Sequence, residues 1–256
     1  MLQADEAPVF EVLHEGGESP FLLTADHAGR LIPRVLGDLG VCVAERGRHI
    51  AWDIGIASVT RHLSASLGAT AILQTYSRLV IDCNRVPSLP SAFPEISETT
   101  PIPGNQNLSA AEKQARQAAI FDPYHREIKR LIQARPRTVY VAMHSFTPVY
   151  KGESRPMHIG LLYDRNPRLS KHLADLLRQE AGLVVAENEP YHVGDGTDYG
   201  VPVHAEPQDL DYLEIEIRQD LIEDEAGQKA WADRLARLFP LALRQLDSAG
   251  RTNGVN

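Results

Sequence analysis

Short apolar runs of strand length alternate along most of this chain with stretches whose apolar residues recur at helical spacing. That alternation restricts the fold more than any other feature, because it builds β-α-β crossovers and hence a mostly parallel sheet. FLLTA at 21–25, bounded by Pro20 and the turn-prone DHAG, reads as a buried strand entering a functional loop. Ile56, Val59, Leu63 and Leu67 mark a helix from about Arg48, closed by Gly68, with Asp53 in its first turns. ATAILQTY and RLVIDCN read as consecutive strands, and proline-rich 86–108 as a long surface excursion suited to walling an active site. Ser109 and Glu112 match a capping box, opening a helix to about Ala134 with an interruption at Pro123. TVYVAM is a strand that ends on His144; HIGLLYD and LVVAENE flank a helix from about Arg168 to Ala181. YLEIEIRQDLI alternates strictly, so Glu214, Glu216 and Arg218 share one face. Trp231, Leu235, Leu238 and Ala242 form the buried stripe of the last helix. The expected architecture is one α/β domain over 1–256: a mostly parallel mixed sheet with helices on both faces.

Composition narrows the function. A formal charge of −8 with no basic block argues against a nucleic-acid partner. No stretch approaches the ~18 apolar residues of a membrane span, and the amino terminus lacks a signal-peptide pattern. Cys42 and Cys83 have neither metal-type spacing nor disulfide density, which suits a reducing compartment. The expectation is a cytoplasmic protein with a small-molecule partner and no nucleic-acid or membrane partner.

His27 and His144 each follow an apolar strand, and the carboxyl ends of such strands open onto the crevice where α/β sheets bind ligands. A catalytic zinc site commonly takes two histidines and a carboxylate with one position open. A glutamate three residues after the first histidine would be the familiar pattern, but Arg30 stands there, leaving Asp53 in HIAWDIG as the candidate and Asp26 as its rival. Adjacent side chains on an extended chain point to opposite faces, which counts against Asp26. A purely structural account of Asp53 is a first-turn acid complementing the helix dipole.

Arg78, Asp82, Asn84 and Arg85 crowd an otherwise apolar segment and need partners, internal or bound. Arg85 suits a bidentate grip on a carboxylate, Asn84 can donate its amide, and Arg78 can stabilise a developing oxyanion; an Asp82–arginine bridge fastening a loop is the plainer alternative. Glu216 can act as a general base beside a metal, with Glu214 the competitor; the outer face of an edge strand would explain both without chemistry. Tyr124 and His125 are read as orienting or packing residues, and His158, His192 and His204 as candidate loop contacts.

DHAG, HIAWDIG, SRLVIDCNR, PYH at 123–125, MHSFTP, HIGLLYD and EIEIRQDLI, in this order across 21–222, resemble the N-formylglutamate amidohydrolase family. DHAG stands where better-known members have PHSG, and Cys83 where leucine is usual, so the likeness is to the DHAS-type branch. The resemblance implies a phosphorylase/hydrolase-like α/β fold related to zinc carboxypeptidases and aspartoacylase-like deacylases. It implies one zinc ion, with other divalent metals admissible, held by His27, Asp53 and His144, and it makes Glu216 the base, with Arg78 assisting at the carbonyl. Asn84 and Arg85 would hold the substrate carboxylate, and Arg218 is placed with them. The implied reaction removes an N-acyl, foremost N-formyl, group from an acidic amino acid such as N-formylglutamate. A peptidase or cell-wall amidase on the same scaffold, and a non-catalytic binder of small carboxylates, are the alternatives.

Overall fold

The structure is a computed structural model that describes residues 1–252. Among the described residues seven strands form one mixed sheet: β1 (Phe10–Leu13), β2 (Phe21–Ala25), β3 (Thr70–Gln74), β4 (Val139–Phe146), β5 (Ile159–Leu162), β6 (Val185–Glu187) and β7 (Asp211–Arg218). Their spatial order is β1-β3-β2-β4-β7-β5-β6. Pairing is parallel from β3 through β2 and β4 to β7 and again from β5 to β6, and antiparallel where β1 meets β3 and β5 meets β7. β1 is an edge strand with no clear alternation, and the sequence reading passed over it.

Helices α1 (Ile56–Leu67), α4 (Arg168–Arg178) and α5 (Glu225–Thr252) cover one face of the sheet and α3 (Asp122–Gln133) the other, with the short α2 (Ala110–Arg116) leading into α3. On the first face Leu23, Val141, Met143, Leu213 and Ile215 pack against Leu63, Leu173, Leu235 and Phe239. On the second, Leu22, Tyr140, Ala142 and Tyr212 meet Tyr124, Ile128 and Leu131 of α3. These side chains are almost fully buried, and each buried Leu, Val, Ile, Met or Phe among them stabilises by about 1.5–3 kcal/mol. Ser109 caps α2 with the expected capping box, and the interruption before Pro123 is a π turn over Gln117–Phe121, which absorbs the proline's missing N–H.

Two expectations about local structure are corrected. RLVIDCN is no strand: beyond Gln74 only an isolated bridge between Leu31 and Tyr76 continues the pairing, and 78–85 is a buried series of turns. Leu79, Val80 and Ile81 are buried as expected, but their backbone is satisfied by side chains in place of a ladder. Asn105 Nδ2 donates to Leu79 O (2.8 Å), and the buried Arg116 donates to Val80 O (3.0 Å) and Gly104 O (2.9 Å). The second correction concerns α1, which begins at Ile56 behind Gly55 in the left-handed region (φ 80°). A Cβ on Gly55 would lie 2.1 Å from Ile222 O, so this turn needs glycine. Asp53 therefore precedes the helix and is not one of its first-turn acids.

Candidate active site and metal centre

His27 lies two residues beyond β2, Asp53 on the loop before α1, and His144 inside β4, which runs on to Phe146 past the expected end. Asp53 N donates to His27 O (2.9 Å), tying the first two segments together. Asp53 Oδ2 lies 3.1 Å from His144 Nδ1 and 3.5 Å from His27 Nδ1, and accepts from Ser145 N (3.2 Å). One ligand atom from each of the three residues lies within 4.8 Å of the other two, and all three are buried. Asp26 is elsewhere occupied: Tyr124 Oη donates to its Oδ1 at 2.6 Å.

The trio fits a divalent cation. His27 Nε2 is held at 2.7 Å by Asp82 Oδ1, which leaves His27 Nδ1 buried with no hydrogen-bond partner among the described residues. Two imidazole nitrogens and a carboxylate oxygen are the donor set of a three-ligand catalytic zinc site. The charges agree. Burial opposes the charged forms, yet the Asp53 carboxyl is held far below its usual range by His27 and His144, and Asp53 pushes His144 up to about 10. Without a metal, protons on the histidines supply the positive charge that this buried carboxylate needs.

Asp82 does more than fasten a loop. Its Oδ1 holds His27 and accepts from Asn84 N (2.9 Å), while its Oδ2 takes Arg78 Nε and Nη2 at 2.9 and 2.7 Å. Burial would raise Asp82, but Arg78 and His27 hold it well below the usual carboxylate range. With Asp82 accepting at Nε2, His27 is oriented so that Nδ1 faces Asp53 and His144, the arrangement an outer carboxylate gives a histidine that is to bind a metal. Arg78 keeps Nη1 directed at Asp53, 3.5 Å from Oδ1.

Glu214 and Glu216 lie on a central strand, not an edge, with only 2 % and 6 % exposure. A solvated outer face is thereby ruled out for them. Glu216 is in register with His144 and Glu214 with Ala142, so Glu216 stands beside a member of the His27–Asp53–His144 group. Each keeps an Oε2 without a hydrogen-bond partner among the described residues. Burial, partly offset by His144, raises Glu216 to about 7; burial and the charge of Asp198 raise Glu214 well above its ordinary value.

His27, Asp53, Arg78, Asn84, Arg85, His144, Glu214 and Glu216 line one cavity of about 470 Å³. Arg218 is a correction. It shares the strand face, but it is clamped on Asp220 (2.8 and 3.1 Å) and Pro156 O (3.1 Å) and does not line the cavity. The proline-rich segment does form a wall, through Ser91, Pro94, Ser97 and Glu98. His192 reaches the cavity. His125 and His204 do not: they bond each other (2.9 Å), and His125 Nε2 meets Cys83 O (2.8 Å). His158 Nδ1 accepts from Val184 N (2.9 Å). His49, the first residue of HIAWDIG, also lines the cavity, as do Tyr191 and Asp198; the sequence reading assigned none of the three a role. For His49 the motif itself was the signal, whereas the loop of Tyr191 and Asp198 carries no periodicity that could have singled them out.

The N-formylglutamate amidohydrolase family model matches residues 19–223. A gene product of Agrobacterium tumefaciens of known structure is 39% identical, with a TM-score of 0.92 over 96% of this chain and 99% of that one. The N-formylglutamate amidohydrolase of Ralstonia eutropha shares 22% identity and a TM-score of 0.67 over 96% of this chain and 100% of its own, a likeness of fold. No curated protein matches the chain. Among the described residues no helix is long and apolar enough to cross a membrane. The chain belongs to the N-formylglutamate amidohydrolase family, and with it to the hydrolases of amide bonds.

Proposed function

We propose that this protein is a zinc-dependent amidohydrolase that removes an N-acyl group, foremost N-formyl, from an amino acid. It acts as one domain, with a single ion held by His27, Asp53 and His144. When bound, the ion supplies Lewis acidity toward the acyl carbonyl and toward water. Glu216, level with His144 and with Oε2 unpartnered, takes the proton from the attacking water and delivers it to the leaving amine. Arg78, locked by Asp82, offers its remaining N–H groups to the carbonyl oxygen as negative charge develops. Asn84 and Arg85 receive the polar end of the amino acid. The observation that carries this reading is the convergence of a His-Asp-His donor set with an otherwise unengaged glutamate in one cavity.

The test is metal analysis of the purified protein together with formate release from a panel of N-formyl amino acids, beginning with N-formylglutamate. Chelation is expected to abolish turnover and zinc to restore it, with manganese, iron and cobalt tried in parallel. Full activity after the metal is stripped overturns the reading.

A further inference from the structure

The cavity has two unlike ends, and the strand register places them on either side of His144. On the face of β4 that carries this histidine the side chains run Tyr140, Ala142, His144, Phe146, successive ones about 6–7 Å apart along the strand. Asn84 belongs to the Tyr140 end. Its Oδ1 accepts from Gly200 N (2.9 Å), where an added Cβ would lie 2.7 Å from Tyr140 Oη, and its Nδ2 donates to Asp198 Oδ1 (3.0 Å). Arg85 Nη1 donates to Asn84 O (2.8 Å), so the guanidinium lies at the same end.

The opposite end is aromatic. Phe146, Tyr150 and Tyr191 line the cavity, and Arg155, which does not line it, ties the three rings together. Its guanidinium lies 5.9, 4.7 and 4.8 Å from their centres, and Nη1 donates to Tyr191 Oη at 2.9 Å. Arg155 N donates to Pro148 O (2.8 Å) at the foot of the hairpin that carries Tyr150. This wall is therefore assembled in advance from β4, the 149–154 hairpin and the loop after β6, yet Tyr191 is 43% exposed. Aromatic surface that is held rigid but left uncovered favours a ligand that buries it.

In the amidohydrolase reading the scissile carbonyl sits by His144 and Glu216, with the α-carboxylate of the amino acid toward Arg85. A secondary amide is planar and trans, so the Cα and the acyl substituent leave it on opposite sides, about 3.8 Å apart. The acyl substituent therefore points toward Phe146 and Tyr191. In a formyl group that substituent is a hydrogen, which leaves the wall bare. The cavity of about 470 Å³ has room for more, since sites for drug-sized ligands run to roughly 300–1,000 Å³.

We propose that Phe146, Tyr150 and Tyr191 form an acyl subsite for a flat aromatic group, so that arylacyl amino acids are substrates beside the N-formyl ones. The inference rests on the amidohydrolase reading above and widens its acyl side.

The experiment compares kcat/KM of the zinc-loaded wild-type protein on N-phenylacetylglutamate and N-acetylglutamate, and repeats the pair with Tyr191→Ala and Tyr191→Phe. The wild type is expected to favour the phenylacetyl compound by roughly tenfold or more, Tyr191→Ala to lose most of that ratio and Tyr191→Phe to keep it. Equal or slower use of the phenylacetyl compound by the wild type, or an unchanged ratio in Tyr191→Ala, overturns the assignment. N-acetylphenylalanine against N-acetylalanine moves the ring to the amino-acid side, and a gain there with none on the acyl side overturns it as well. Calorimetry of phenylacetate and acetate reads the subsite without turnover. Tighter phenylacetate in the wild type, weakened in Tyr191→Ala, supports the assignment, and equal binding of the two acids overturns it. Turnover of no N-acyl amino acid at all removes the amidohydrolase reading, while the calorimetric comparison still decides the aromatic subsite.

Discussion

Glu216 and His144 occupy the same register position on the neighbouring parallel strands β7 and β4, so the proposed general base and a proposed metal ligand rise side by side from one sheet face. Parallel pairing leaves little freedom in that arrangement, since a one-residue slip would send either side chain into the opposite core.

Glu216→Gln keeps the shape of the side chain and removes its ability to accept a proton. Turnover is expected to fall by roughly 10²–10⁴, with KM and bound metal little changed. Steady-state kinetics and metal analysis on the same preparation check this, and a variant with wild-type kcat would reassign the base to another residue.

Burial raises the Glu216 carboxyl to about 7. The base works deprotonated, so kcat/KM should climb with pH through a limb at or below that value, a bound cation favouring the carboxylate and moving the limb down. For the stability of the metal-free protein the sign is opposite. The raised carboxyl contributes stability that is full below its ordinary value of 4.5 and lost as pH rises through about 7. A pH–rate profile and metal-free melting curves check both; a limb well above 7 would contradict the assignment.

Asp82 holds His27 Nε2 and so presents Nδ1 to the centre. Asp82→Ala should weaken zinc by about 10–100-fold while the fold persists, the usual cost of losing such an outer partner. Chelator competition followed by circular dichroism measures the two effects separately.

Arg116 is buried 36 residues from Val80 in sequence and satisfies that carbonyl together with Gly104 O. Arg116→Met strands these acceptors in the apolar interior and should destabilise by about 2–3 kcal/mol. Urea denaturation of the metal-loaded variant reads this directly, and a midpoint equal to wild type would show that water replaces the guanidinium.

Much of the fold was legible because periodicity is a local property. The period of two in YLEIEIR, the helical spacing of Ile56 to Leu67 and the Ser109–Glu112 cap each mark an element present in the structure, although both faces of the YLEIEIR strand are buried. The apolar run LVI at 79–81 reports burial but not conformation. Whether such a run pairs as a strand depends on donors elsewhere, and here Asn105 and Arg116 took the place of a neighbouring strand. The sequence by itself determined the chemical inventory: His27, Asp53 and His144 as a donor set, Glu216 on a polar strand face, and the polar segment from Arg78 to Arg85. Tertiary structure alone decided how the inventory is spent. It turned Asp82 toward His27, clamped Arg218 away from the cavity, and set Asp198 against Asn84 across 114 residues of chain. The physical reason is that hydrogen bonds and charge pairs act over a few ångströms in space, whereas sequence patterns register only neighbours along the chain.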